Sequence, residues 1–161
     1  MINHENVYGN NPVWAHSPAW HSYGYTNDQL VLRIILQIVR RESTDELLFD
    51  YLKVIAQDDE TERILHSMLL DERTHFDTLK QVYYYITGRP AEVDAPIFER
   101  PESLRKGLSN MLLRKDRSAK LYTHLWLHLS PNYAYFVFPF IIDEQNHMSL
   151  INYLLIKHVA V

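Results

Sequence analysis

Asp71-Glu72-Arg73-Thr74-His75 and Asp143-Glu144-Gln145-Asn146-His147 are two copies of one pattern, Asp-Glu-x-x-His. A Glu and a His three residues apart on a helix project about 60° from each other, so both can face one target. Each copy sits inside an apolar stripe of helical period. Glu72 follows Met68 and Leu69 and precedes Leu79, with His75 beside Phe76. Glu144 and His147 share a face with Ile141, Met148 and Ile151. The motifs therefore fall on faces that turn inward. A carboxylate buried alone is costly, and a metal ion is the simplest cation to accompany it. A buried Glu–His hydrogen-bonded pair in each helix is the alternative.

The same period runs outward from both motifs. Thr26-Asn27-Asp28-Gln29 has the form of a capping box and predicts the start of a first helix, striped by Leu30, Ile34, Ile35, Ile38, Phe49, Leu52 and Ile55. Asp59-Glu60-Thr61-Glu62 opens a second, which Gly88 and Pro90 stop. Pro101 suits the first turn of a third, whose stripe is Leu104, Leu108, Met111, Leu112, Ala119, Tyr122, Trp126 and Leu129. Ser130-Pro131 starts a fourth, running through Ile141, Met148, Ile151, Leu154 and Leu155, with a kink or the true start predicted at Pro139. The turns between helices one and two, and three and four, are short enough to force antiparallel neighbours. A longer segment, residues 88–100, joins the two hairpins. The expected fold class is all-α: an antiparallel four-helix bundle of two helical hairpins with one long crossover.

Helix one should contribute a carboxylate to the site. Glu42 lies four residues after Ile38 and seven before Phe49, and thirty before Glu72, about the separation that brings antiparallel helices level. Asp45 and Glu46 are expected to turn away into solvent. Asp71 and Asp143 have a different job. A metal-bound imidazole usually donates its other N–H to a carboxylate, and each aspartate is placed to serve the histidine of the opposite motif.

Composition narrows the function classes. The chain has 161 residues, 47% of them hydrophobic and 22% charged, which suits one globular domain. Its formal net charge of −4 gives no electrostatic reason to expect nucleic acid or an anionic membrane as partner. Cysteine is absent, which excludes disulfides, thiolate zinc sites and iron–sulfur clusters. No secretory signal pattern and no spanning apolar run is visible, so a cytoplasmic protein is expected. Residues 1–25 form a separate segment rich in aromatic residues and histidine, with Tyr8, Trp14, His16, Trp20, His21, Tyr23 and Tyr25 in no period; residues 26–161 form the bundle. The segment is expected to pad the bundle or to self-associate, without giving a metal ligand.

On these residues the chain resembles the rubrerythrin-like branch of the ferritin-like di-iron carboxylate superfamily, over roughly residues 27–158. In that family helices one and three each give a Glu, helices two and four each give Glu-x-x-His, and the set binds two irons. The resemblance implies metal ligation by Glu42, Glu72, His75, Glu144 and His147. Helix three departs from it. Its core stripe reaches Lys115 at the level of the site, twenty-nine residues before Glu144, where the family has Glu. The neighbouring Asp116 is about 100° round the helix and would need a rotation or a π-bulge to substitute. With Lys115 in that place, one tightly bound metal ion or none is expected, the helix-three side being partly filled by the Lys115 amine. The resemblance further implies an oxidoreductase acting on dioxygen, peroxide or ferrous iron, with iron as the metal and manganese or zinc as alternatives. It implies a homodimer. Full-length rubrerythrins also carry a cysteine-ligated iron, so this chain would need an external electron donor. The rival reading is a non-catalytic structural or coat-type bundle that retains a degenerate site.

Overall fold

The computed structural model describes residues 19–158 and contains four helices: α1 (Ala19–Val54), α2 (Asp59–Thr87), α3 (Leu104–His128) and α4 (Pro131–Lys157). Together they take up more than two-thirds of the chain, and no strand occurs among the described residues. Their starts and stops have local causes. Asp58 caps α2, its side chain accepting from the Thr61 backbone N–H, and Gly88 closes the helix at φ 69°, a left-handed conformation that favours glycine. Pro131 occupies the first turn of α4 as expected from the sequence, while Ser130, expected to cap the helix, stands at the cap position without a side-chain hydrogen bond.

Two boundaries and one core position differ from the sequence reading. Helix α1 begins at Ala19, so Thr26 lies within it. No proline falls between Pro18 and Thr26 to stop the helix, and a capping pattern alone does not break one. Helix α3 begins at Leu104, because the Ser103 hydroxyl accepts from the Lys106 N–H and caps it there; Pro101 stays in the crossover. Pro139 lies inside α4, the first of its two expected places. In α3 the buried residue is Leu125, while Trp126 is turned outward against the Phe138 ring. Tyr8, Trp14, His4 and His16 of the N-terminal segment lie outside the described residues.

Helices pack as α1 on α2 and α3 on α4 within the hairpins, and as α1 on α3 and α2 on α4 between them. Each such pair is antiparallel, so residues 88–103 link the two diagonal helices. Gly107 lets α3 approach α1, since a Cβ there would lie 2.3 Å from Leu52 Cδ2. The core has two apolar halves. One gathers Val31 to Val39 of α1 with Leu79, Val82, Tyr122, Leu125, Val137 and Ile141. The other gathers Leu48 to Leu52 with Leu65, Met68, Leu108, Met111, Ile151 and Leu154. Between them every helix gives two buried polar residues one turn apart: Glu42 and Asp45, Glu72 and His75, Lys115 and Ser118, Glu144 and His147. Among the described residues no helix is long and apolar enough to cross a membrane.

Candidate metal centre

The polar layer is assembled from side chains that two apolar flanks hold in place. All five ligands expected from the sequence, Glu42, Glu72, His75, Glu144 and His147, are at most 2% exposed and lie in it. The histidines are held in crossed fashion. His75 donates from Nε2 to Asp143 at 3.1 Å, and His147 from Nε2 to Asp71 at 3.0 Å, so each motif's aspartate serves the other motif's histidine. That bond engages Nε2 of each ring and turns Nδ1 inward, and burial works against charge on His147 while Glu72 and Asp71 hold its pKa above the ordinary value. His75 Nδ1 lies 3.9 Å from Glu144 Oε1, and His147 Nδ1 lies 3.0 Å from Glu72 Oε1. Neither contact has hydrogen-bond alignment, and both Nδ1 atoms are buried without a partner. Phe140 lies over the His75 ring at 4.1 Å and shields it.

Lys115 reaches the middle of the carboxylates. Its Nζ lies 2.5 Å from Glu72 Oε2 and 3.4 Å from Glu144 Oε1. Asp116, by contrast, points outward and pairs with Lys120 at 2.7 Å, so it does not substitute for a helix-three ligand. The sequence reading also misplaced Asp45. It is fully buried, takes a short hydrogen bond from Arg114 Nε, and has Oδ2 at 3.4 Å from Lys115 Nζ. Glu46 is half-exposed and accepts from Arg73, as a solvated position should. Tyr122, read only as a core residue, donates its hydroxyl to Glu42 Oε1 at 3.2 Å. A missed signal existed for Asp45: it falls seven residues after Ile38 and seven before Leu52, spacing like that which places Glu42 inward.

Burial and Lys115 divide the charge among these groups. Burial, then Glu72, pushes Glu42 well above the usual carboxylate range. Burial also acts upward on Glu72, but Lys115 and His147 outweigh it and hold that carboxyl well below its ordinary value. Burial raises Glu144 to about 8 against the pull of Lys115. Burial would lower Lys115, yet Glu144, Glu72, Glu42 and Asp45 hold it well above its ordinary value, so it stays an ammonium. His75 is lowered, chiefly by burial.

The donor set fits a metal ion. Glu42 Oε2, Asp45 Oδ2, Glu72 Oε1, Glu144 Oε2 and both inward Nδ1 atoms are buried with no hydrogen bond, each costing about 1–3 kcal/mol if left so. Two groupings bring ligand-type atoms within 4.8 Å of one another: Glu72, His75 and Glu144, and Glu42, Asp45 and Glu72. Once Glu42 and Glu144 give up their protons, four carboxylates face Lys115 and Arg114 and leave two negative charges, the complement of one divalent ion.

No family model and no curated protein matches the sequence. Among solved structures, the chain is similar to a ferritin-like, diiron-carboxylate protein from Bacillus anthracis str. Ames, with a TM-score of 0.71 and 16% identity. The likeness covers 80% of this chain and 97% of that one, and at such identity it is a likeness of fold: the chain has the ferritin-like four-helix architecture.

Proposed function

We propose that this chain binds one divalent transition-metal ion, iron by preference, through Glu72, His75, Glu144 and His147. We propose that it is an oxidoreductase of the rubrerythrin-like kind, acting on dioxygen, peroxide or ferrous iron. The observation that carries the reading is the pair of imidazoles locked through Nε2 onto Asp143 and Asp71, with Nδ1 aimed inward and unsatisfied. Carboxylate-plus-imidazole ligation suits iron, manganese and zinc alike. The description of the structural neighbour as a diiron-carboxylate protein favours iron.

A bound redox-active ion supplies electron exchange and Lewis acidity that no side chain here offers. The chain's own residues prepare its place. Asp143 and Asp71 fix tautomer and orientation of the imidazoles. Glu144, raised to about 8, holds a proton near neutrality and releases it as a cation arrives. Phe140 keeps water from the His75 ring, and Tyr122 holds Glu42 through its hydroxyl. With no cysteine in the sequence, turnover requires an external electron donor.

Lys115 favours a second reading, a metal-free bundle whose buried charge the ammonium balances. Elemental analysis of protein purified without chelator decides between them. About one iron per chain, with oxygen uptake on adding ferrous salt, is expected. Absence of any metal after reconstitution with iron, manganese and zinc would leave the structural reading standing.

A further inference from the structure

The two groupings of ligand-type atoms meet at Glu72 but differ in kind. The first contains a histidine and is the place proposed above for an ion. The second, Glu42, Asp45 and Glu72, is three buried carboxylates from α1 and α2. Carboxylates so packed repel unless a cation is among them. One is. Lys115 Nζ lies 2.5 Å from Glu72 Oε2, 3.4 Å from Asp45 Oδ2 and 4.0 Å from Glu42 Oε2. It enters from α3, the helix that gives this layer no carboxylate, and its other flank is the Phe49 ring, 5.6 Å away. Glu42 Oε2 and Asp45 Oδ2 make no hydrogen bond, so proximity and not a directed bond sets them around the ammonium.

We propose that Glu42, Asp45 and Glu72 form a second cation position, that the Lys115 ammonium fills it as a tethered stand-in for a divalent ion, and that Asp45 supplies the carboxylate missing from α3. An ammonium is a compact charge with three donors and no preferred plane, so it can address carboxylates arriving from several directions. Arg114 adds the second positive charge through its bond to Asp45, so side chains bring the two charges that a divalent ion would bring. Because a tethered cation cannot dissociate, this half of the layer is neutralised in the metal-free chain. Removing Lys115 converts the position into one that an added ion can enter. The inference rests on the proposed function only for the neighbouring ion.

The test counts manganese on gel-filtered parent, Lys115→Ala and Lys115→Glu chains by elemental analysis, and follows melting by circular dichroism in EDTA and in excess Mn²⁺. Lys115→Ala should bind one Mn²⁺ more than the parent, melt lower than the parent in EDTA and recover when Mn²⁺ is added. Lys115→Glu, which supplies a carboxylate in place of the ammonium, should show the same gain. Adding Asp45→Asn to Lys115→Ala should remove the gained equivalent and no other. A variant count equal to the parent's overturns the proposal. So does an extra equivalent that survives Asp45→Asn, and so do lysine variants that stay unfolded with and without Mn²⁺. Failure of the proposed function reads differently: the parent then binds none while Lys115→Ala binds one.

Discussion

Glu72 is the residue through which the buried layer is joined, because it sits in both carboxylate groupings and holds the shortest contact to Lys115. In the metal-free protein this contact is a buried ion pair, and removing one partner of such a pair costs about 3–5 kcal/mol. Glu72→Gln should therefore lower the unfolding free energy by about that amount in urea titrations with EDTA present. A loss below about 1 kcal/mol would mean that Lys115 transfers to Glu144 or Asp45 without penalty. The imidazole partners support a second expectation. Asp143→Ala frees the His75 ring, and loss of such a partner lowers metal affinity about 10–100-fold; competition against a chromophoric chelator should show it, and unchanged affinity would remove His75 as a ligand. At this scale the sequence revealed what a helical stripe can reveal. Glu42, Glu72, His75, Glu144, His147 and Lys115 all interrupt apolar runs, and an interruption is visible. Asp45 carried a similar spacing, but its partner Arg114 is 69 residues away, and no local pattern reports that pairing.

The helices hold the layer through their ends as well as their stripes. Asp58 caps α2, accepts from the Thr61 backbone and hydroxyl, and meets Lys157 of α4 at 2.6 Å, while Glu60 meets the same lysine. The start of α2 is thus fastened to the end of α4, at one end of the neighbouring antiparallel pair that carries both Glu-x-x-His motifs. The Lys157 and Thr61 bonds hold the Asp58 carboxyl below its ordinary value, and Asp58 and Glu60 hold Lys157 above its own. A lowered carboxylate stabilises fully above its unfolded pKa, and that stabilisation is lost as pH falls through the lower folded value. A raised lysine stabilises fully below its unfolded pKa, and loses that as pH rises through the higher folded value. The part of the urea midpoint that this cluster supplies, read as parent minus Asp58→Asn, should therefore be level across neutrality and fall first on the acid side below about pH 4, near the ordinary Asp pKa. Asp58→Asn should flatten that acid limb, and the effect should shrink at high salt because the cluster is exposed. An acid limb identical in the variant would assign the loss to other carboxylates. The element boundaries were legible where chemistry was local, at Asp59, Gly88 and Pro131. They were misread at Thr26 and Pro101, where a permissive signal was mistaken for a decisive one.

Across the whole molecule the buried polar layer lies at mid-height between two apolar halves, and the chain enters α1 far from it. Ala19 and Glu42 are twenty-three residues apart on one helix, about 35 Å at 1.5 Å per residue. The start of α1 belongs to the end of the bundle where α3 finishes and α4 begins, since Val31 to Val39 share a core with Leu125, Leu129 and Val137. His4 and His16 precede that start in sequence, whereas the layer already gives each inward imidazole an aspartate on one side and carboxylates on the other. Nothing in the donor set calls for a further histidine. A chain beginning at Ala19 should therefore keep its helical spectrum and bind the same number of metal ions as the full chain. Metal per chain by elemental analysis, measured on both forms after identical reconstitution, is the check. A fall in metal content with helicity intact would show that the first eighteen residues reach the layer and would add an N-terminal ligand to it. Equal metal with a change in sedimentation would instead assign those residues to association between chains.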